Sequence, residues 1–476
     1  MSLTRFRWAT LALPLFALGC TMGPDYSRPT VPLSATYKHE GGWRSLPSAA
    51  QSQPDAPWWA AYGDPELDRM MRQAAESNQS VAQAEARYRQ VLAQLQASRA
   101  DGLPQIGASS GVQRSGSRGG SSSGSIGQST GSTSEGTRYE VGATVSWMPD
   151  LWGRVRRQTE ADQASIESSA ADLAAIRLGI QATVAQAYMR IRAIDRYDDL
   201  LNQTMEVYAR SLTLTRNQYA AGLVARADVI QSETQLQSLR TQASDLKRQR
   251  LLEENAIAVL LGGPPSAFSL EPTAELPPPP PVPAQLPAAL LARRPDVAAA
   301  ERLVAAANAR IGVAETAWYP DITLSAQAGL QEGRFLDLLN APRFFWSVGP
   351  GLALTLFDGG RRSAALEQSR AQYDEQVAFY RQSFLTGMQE VEDALASLLT
   401  LAEKAVQQQR LVELAEENER VVTNRYRAGL VSFLEVSVAQ NLTFTSRRTA
   451  LEIRADRLAA SIQLVTALGG GWRPEE

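Results

Sequence analysis

Cysteine and histidine are almost absent from this chain. Each occurs once among 476 residues, as Cys20 and His39. A single cysteine excludes an intrachain disulfide and a thiolate metal cluster. A single histidine excludes a zinc site built on two histidines and removes the usual general base of a hydrolase. Because no nucleophile–base pair, P-loop or dinucleotide-binding fingerprint is present either, the sequence predicts no enzyme activity and no cofactor.

Long apolar runs and an excess of one charge are also missing. The formal net charge is −3, and no basic patch of the kind that binds phosphate groups is present, so nucleic acid is not an expected partner. After the N-terminal segment, no apolar run approaches the roughly 18 residues typical of a membrane-spanning helix. A membrane protein of this composition must therefore use strands, whose alternating pattern gives a much weaker signal.

The N-terminus carries a secretory signal. Arg5 and Arg7 precede a short apolar run that ends in Ala17-Leu18-Gly19-Cys20. This pattern predicts a signal peptide, residues 1–19, cleaved before a lipid-modified Cys20, and the run is too short to span a bilayer. The alternative is a chance cysteine at the end of the signal. Thr21 stands where Asp would favour retention in the inner membrane, so we predict a lipid anchor in the outer membrane.

The rest of the chain is a tandem duplication. The segment from Asn217 to Val224 recurs from Asn424 to Val431, and the same offset places Asp228 on Glu435. We divide the chain after the signal into a leader (20–62), a first repeat (63–263), a Pro-rich linker (264–286), a second repeat (287–471) and a tail (472–476).

Each repeat combines alternating strands with very long helices. The period-two alternation predicts strands at Pro104 to Arg114, Arg138 to Met148, Asp321 to Gln331 and Phe344 to Phe357. The proline-free stretches predict helices at Arg154 to Gln218, Ala225 to Leu261, Arg361 to Arg427 and Ser432 to Leu468. The Gly/Ser tract from Ser115 to Gly136 is expected to be a loop, because it contains too little apolar surface to order itself.

Four strands per chain cannot close a barrel, and open sheet edges are not tolerated in lipid. Two copies would give eight strands and an interior filled by side chains, whereas three copies give twelve strands and room for water. The predicted fold is therefore an α+β membrane protein. Its homotrimer forms a twelve-stranded β-barrel, four strands per protomer, continued by a long α-helical coiled-coil barrel.

Several short motifs occur in order along the chain. They are Cys20 to Tyr26, Trp58-Trp59, Gly63 to Leu67, Pro149 to Arg154, Arg293 to Val297, Trp346 to Pro350, Phe357 to Arg361 and Leu468 to Trp472. Together they resemble the TolC-like outer membrane factors, and within them the lipoprotein branch that serves tripartite efflux pumps. The resemblance implies a homotrimeric outer membrane channel. It implies as partners a periplasmic adaptor (membrane fusion) protein and an inner-membrane RND-type pump.

The resemblance also assigns the turns between the helices. The two Tyr-x-x-Gly turns, Tyr219 to Gly222 and Tyr426 to Gly429, are expected to be the periplasmic tips that meet the adaptor. Asp228 and Glu435 follow them and are expected to line the closed periplasmic gate, where an acidic ring would attract cations. The alternative is that each carboxylate simply favours the start of its helix.

Two residues depart from the family pattern. Val431 occupies a position where relatives often have a charged residue, and Val438 occupies a second position that is acidic in some relatives. The contacts that lock the gate are therefore expected to differ, with Arg226 or Arg427 as candidates to supply them.

Other functions are compatible with parts of the sequence. Within the channel class, type I protein secretion and metal export are the alternatives to drug efflux. A periplasmic adaptor lipoprotein also contains a coiled-coil hairpin, but the duplicated strand pairs argue against it. A lipoprotein hydrolase would need a histidine other than His39.

Overall fold

The computed structural model describes residues 21–31, 48–49, 57–118, 133–280, 282–283, 294–340 and 342–472. The predicted signal peptide, Cys20 and His39 lie outside the described residues. The chain divides into two compact units. The strand unit comprises Met1–Arg28, Gln90–Ile166 and Arg302–Val377, and the helical unit comprises Pro29–Arg89, Glu167–Glu301 and Ala378–Glu476.

Helices dominate the part of the chain that the structure describes. They are α1 (Pro65–Ser77), α2 (Gln79–Ala100), α3 (Arg154–Ala220), α4 (Arg226–Leu260), α5 (Pro295–Thr316), α6 (Phe335–Asn340), α7 (Arg361–Arg427) and α8 (Phe433–Ala467). The strands are β1 (Ser48–Ala49), β2 (Gln105–Arg118), β3 (Thr133–Trp147), β4 (Val282–Pro283), β5 (Asp321–Glu332) and β6 (Arg343–Ala353). Short 3-10 helices occur at Trp58–Tyr62 and Pro265–Ala267.

The helices of the two repeats have matching lengths, which confirms the predicted pattern. α3 and α7 each contain 67 residues, and the return helices α4 and α8 each contain 35. Both long helices begin after a carboxylate, Asp150 or Asp358, that accepts hydrogen bonds from backbone amides of the first turn. Within the described residues, none of the helices is long and apolar enough to cross a membrane.

Four strands form one antiparallel sheet in the strand unit, in the order β2-β3-β5-β6. The register places Val145 opposite Ile106 on one side and opposite Ala326 on the other, and Ala326 opposite Val348. Apolar residues of all four strands therefore share one face, as the period-two alternation predicts. Ile106 is 78% exposed and Trp346 is 69% exposed in the protomer, so this face is not covered by the rest of its own chain.

The last strand is shorter than the sequence predicts. The alternation extends to Phe357, but β6 ends at Ala353. Ala353 pairs with Asp321, the first residue of β5, so the residues from Leu354 onward have no strand to pair with. The chain then turns through Gly359 and Gly360, both with positive φ, into α7. The apolar side chains after Ala353 are thus not strand residues.

The first hairpin is longer than the sequence predicts. The sequence predicts a loop from Ser115 onward, yet β2 continues to Arg118 and pairs there with Thr133 of β3. Backbone hydrogen bonds between strands do not require apolar side chains, so a Gly/Ser sequence extends a ladder that its neighbours have already started. The prediction of a loop is therefore wrong for both ends of the tract, and residues 119–132 lie outside the described residues.

The helical unit has an apolar core between α1, α3, α4 and α8. Leu67, Met70 and Met71 of α1 are fully buried against Tyr188 of α3, and other members are Val184, Ile191, Ile257, Leu458 and Ile462. α1 begins at Pro65, and its N-cap Asp64 accepts hydrogen bonds from the amides of Glu66 and Leu67. The Tyr188 hydroxyl donates to the same carboxylate at 2.5 Å, which fixes α1 on α3.

Candidate gate at the interhelical turns

The two Tyr-x-x-Gly turns have the same backbone. Gly222 has φ 73° and Gly429 has φ 75°, a left-handed conformation that favours glycine. The residue after each glycine donates its N–H to a carbonyl five residues earlier, Leu223 to Gln218 and Leu430 to Arg425, both at 2.9 Å. This bond closes the last turn of α3 and of α7 before the chain reverses. The turns predicted from the sequence are therefore present in both repeats.

The two tyrosines of the turns have different surroundings. Tyr219 is 46% exposed, whereas Tyr426 is 4% exposed. The Tyr426 hydroxyl lies 3.4 Å from Oγ1 of Thr215 in α3, and the Thr215 hydroxyl itself donates to the Ser211 carbonyl. The tyrosine is therefore the donor of the pair. Tyr426 thus joins the second repeat to the first, while Tyr219 makes no equivalent link.

An apolar cluster surrounds Tyr426. Its ring meets Phe433 edge to face, with 5.7 Å between centroids. The other members are Val436 and the partly buried Leu214, Val422 and Val431. Burial raises the pKa of the Tyr426 hydroxyl, and the nearby Asp228 carboxylate acts in the same direction. Val431, where the family resemblance leads one to expect a charge, is thus part of an apolar contact.

The two acidic residues also differ. Asp228 is half-buried in the first turn of α4, and its Oδ2 accepts the N–H of Ala225 at 3.2 Å. It therefore satisfies an amide at the start of its helix. Glu435 is exposed in the first turn of α8, and its carboxylate forms no hydrogen bond with the described residues of its own protomer. The Asp228 carboxylate lies close enough to Tyr426 to influence its hydroxyl.

The arginines proposed from the sequence to lock the gate are both exposed. Neither Arg226 nor Arg427 forms an ion pair with a described residue of the same protomer. An ion pair of exposed residues near the turns joins Arg216 and Glu233 at 3.4 Å, and such pairs contribute little to stability.

Beyond the turns, buried polar side chains of α8 form hydrogen bonds with α3, α4 and α7. The Gln440 amide donates to the Ser211 hydroxyl at 3.1 Å, and the hydroxyl of Thr443 donates to the Ala415 carbonyl at 3.1 Å. The Ser437 hydroxyl accepts a hydrogen bond from the Gln235 amide. Ser437, Gln440 and Thr443 are all buried. We call these three residues the polar seam. The polar seam was not predictable from the sequence, because buried polar residues leave no apolar periodicity.

The segment that follows Cys20 is held in the strand unit. The buried guanidinium of Arg157 donates to the carbonyls of Met22 and Gly23 and to Asp25, at 2.8, 3.1 and 3.2 Å. Gly23 approaches Gly312 of α5 so closely that a Cβ on Gly23 would lie 2.4 Å from the Gly312 Cα. Cys20 itself lies outside the described residues. Among those described, no group of three possible metal-ligating side chains occurs.

Comparison with known proteins identifies the family. The family model for outer membrane efflux proteins matches residues 70–263 and 286–470. The toluene efflux pump outer membrane protein TtgC of Pseudomonas putida is 31% identical over 472 residues, covering 97% of this chain and 95% of the relative. The pyoverdine export outer membrane protein OpmQ of Pseudomonas aeruginosa is 30% identical over 469 residues, covering 97% of each.

Solved structures give the same result. The outer-membrane channel OprN superposes with a TM-score of 0.85 at 28% identity, covering 96% of this chain and all of that one. The predicted fold class, four strands per protomer in a trimeric twelve-stranded barrel with a helical barrel, is confirmed, as is the location in the outer membrane. The chain therefore belongs to the outer membrane efflux protein family, and it is the outer membrane channel of an efflux system.

Proposed function

We propose that this channel is the passive exit duct of a tripartite pump and has no enzyme activity. A periplasmic adaptor and an inner-membrane RND-type pump would be its partners, and the pump would supply the energy. The match of the family model to both repeats carries the proposal. The names of the relatives favour small molecules over proteins as cargo, because they include toluene, antibiotics and pyoverdine.

The two turns have different roles: the first contacts the adaptor, and the second is held inside the protomer by Tyr426. Tyr219 and Gly222 present an exposed aromatic side chain on a fixed turn, which supports a contact with the adaptor. Tyr426 and Gly429 form a turn of the same shape, but the Tyr426 side chain is used inside the protomer. We therefore assign docking mainly to the first turn. In the second turn, docking falls to exposed residues such as Leu430, which is 70% exposed.

The acidic residues set the ion preference of the gate. Glu435 is exposed and unpaired within its protomer, so three copies around the axis of the trimer would form a ring of negative charge. Asp228 contributes less, because its carboxylate is half-buried and holds the Ala225 amide. The proposal keeps both residues at the gate, with Glu435 as the stronger determinant.

Conductance of purified trimers in planar bilayers tests this assignment. We expect Glu435→Gln to lower cation selectivity and the double variant Asp228→Asn/Glu435→Gln to lower it further, with the trimer intact. Glu452→Gln is the matched control, since Glu452 is an exposed carboxylate on the same helix, far from the turn. Unchanged selectivity in the double variant would contradict the acidic ring.

Lipid attachment at Cys20 completes the proposal. Arg157 fixes the backbone just after Cys20, so an attached lipid, such as palmitate, would emerge close to the strand unit. Mass spectrometry of the mature N-terminus tests this directly. A mature protein that begins at another residue, or that carries no lipid, would contradict it.

A further inference from the structure

A short helix, α6, occupies the connection between β5 and β6. β5 ends at Glu332 and β6 begins at Arg343, and an ion pair of 3.4 Å joins these two residues at the base of the connection. β3 leads into α3 and β5 follows α5, so the β5–β6 connection lies at the other end of the sheet. In an outer membrane channel whose helices lie on the periplasmic side, this end of the sheet is at the outer surface of the cell.

α6 is amphipathic, yet the protein covers only one of its apolar side chains. Leu338 is 8% exposed, whereas Phe335, Leu336 and Leu339 are 56%, 68% and 69% exposed. At about 100° per residue, these four side chains lie within one half of the helix, and Asp337 lies on the other half. A helix of six residues is too short to be stable alone, so its packing on β5 and β3 holds it in place. We call Phe335, Leu336 and Leu339 the apolar face of α6.

The apolar face of α6 adjoins the apolar face of the sheet. The Phe335 ring meets the Tyr139 ring of β3 edge to face, with 6.0 Å between centroids. Tyr139 alternates with Val141 and Val145 along β3, so the three side chains point to the same side of the sheet. In a closed barrel that side meets lipid, and the polar side lines the lumen. α6 therefore lies on the lipid side of the barrel rather than over its lumen.

The residues around α6 fit the boundary between acyl chains and lipid headgroups. Phe344 and Trp346 of β6 are 67% and 69% exposed on the apolar side of the sheet, and barrels of the outer membrane carry aromatic girdles at this boundary. Arg334 and Arg343 flank α6 and are exposed. Their guanidinium groups suit lipid phosphates, to which arginine binds through charge-assisted hydrogen bonds. This combination favours a lipid surface over a protein as the partner of the apolar face.

We propose that the apolar face of α6 inserts into the outer leaflet of the outer membrane, at the boundary between acyl chains and phosphate headgroups. The lipid covers the side chains that the protomer leaves exposed, and it continues the surface that already surrounds the strands. Each protomer supplies one such helix, because the equivalent connection of the first repeat is the Gly/Ser tract. The inference is independent of the assignments made at the periplasmic gate.

Fluorescence quenching in vesicles tests the proposal. The variants Leu339→Cys and Asp337→Cys, on opposite sides of α6, are labelled with a nitrobenzoxadiazole dye and reconstituted in phosphatidylcholine–phosphatidylglycerol vesicles. Cys20 is the only cysteine of the natural chain, so wild-type protein measures any labelling at Cys20. We expect phosphatidylcholine with a doxyl group near its headgroup to quench the Leu339→Cys label several-fold more than the Asp337→Cys label. Aqueous iodide should quench the two labels in the reverse order.

Other outcomes of this experiment overturn the proposal. Equal doxyl quenching at the two positions, or stronger iodide quenching at Leu339→Cys, would show that the apolar face of α6 does not enter the lipid. A disulfide between unlabelled Leu339→Cys protomers would show that the helices meet one another instead. If Leu339→Cys does not assemble into trimers by native mass spectrometry, Leu336→Cys on the same face gives the decisive measurement.

Discussion

The return helices α4 and α8 have the same length and follow turns of the same backbone, yet they bury different kinds of side chain at two equivalent positions. α4 buries Leu236 and Leu239, and α8 buries Thr443 and Ser446 at the equivalent positions. Apolar burial holds a helix pair together strongly and without direction, whereas a hydrogen-bonded contact exchanges readily for water. At these two positions the contact of α4 is apolar and that of α8 is polar, although α8 also buries Phe433, Val436 and Phe444 nearby.

Replacement of each turn tyrosine by alanine should give the largest difference in stability between the two turns. We expect Tyr426→Ala to lower the local unfolding free energy by about 3 kcal/mol, because it removes a buried aromatic ring and leaves a cavity. Tyr219→Ala should change it by less than about 0.5 kcal/mol, because the side chain is exposed. Amide hydrogen exchange of the residues around each turn measures both values.

Tyr426→Phe separates the ring from the hydroxyl and should cost about 1 kcal/mol, the contribution of one hydrogen bond. Equal losses for Tyr219→Ala and Tyr426→Ala would remove the difference between the turns.

Substitution of the two turn glycines should lower stability equally, so the difference between the turns is confined to their side chains. Gly222→Ala and Gly429→Ala should each lower stability by about 1–2 kcal/mol, because alanine is strained in the left-handed conformation. Thermal unfolding of detergent-solubilised trimers measures the effect. Gly179→Ala is the control, since Gly179 lies inside α3 with open space around it and should gain about 1 kcal/mol. Tolerance of alanine at one turn only would show that the turns differ in backbone as well.

Removal of a polar contact between α3 and α8 should test how much the polar seam contributes to stability. Oε1 of the buried Gln440 has no hydrogen-bond partner, so its burial is only partly compensated. We expect the double variant Ser211→Ala/Gln440→Leu to raise stability by about 1 kcal/mol, because both polar partners are removed together. Thermal unfolding of the single and double variants gives the coupling energy. A double variant less stable than either single variant would show that the seam stabilises the closed bundle.

The smallest expected effect separates the two acidic residues. Asp228→Asn should lower stability by about 0.3–1 kcal/mol, because the carboxylate near the positive end of the α4 dipole is lost. Glu435→Gln should change stability less, since Glu435 holds no amide of its helix. Chemical denaturation of matched trimers at low salt measures both. A larger loss for Glu435→Gln would reverse the roles given to the two residues.

Features of the fold that depend on the local spacing of residues were predictable from the sequence. Period-two alternation predicted the apolar sheet face, and the proline-free stretch predicted the helix from Arg361 to Arg427. The end of β6 was not predictable, because it depends on where β5 begins to pair. The burial of Tyr426 was not predictable either, because the Tyr-x-x-Gly motif is the same in both repeats. What distinguishes the two tyrosines is Thr215, which lies far from Tyr426 in the chain.

Arg157 holds the segment that follows Cys20 mainly through the backbone of that segment. Its guanidinium binds the carbonyl oxygens of Met22 and Gly23, which every residue type possesses. Gly23 is the exception, because any side chain there would collide with Gly312. The hold on residues 22 and 23 therefore depends on backbone conformation, whereas Asp25 and Tyr26 are held by their side chains. A leader grafted from another secreted lipoprotein should dock in the same place if it carries a glycine three residues after its cysteine and keeps an Asp and a Tyr at the two positions that contact Arg157 and Arg302.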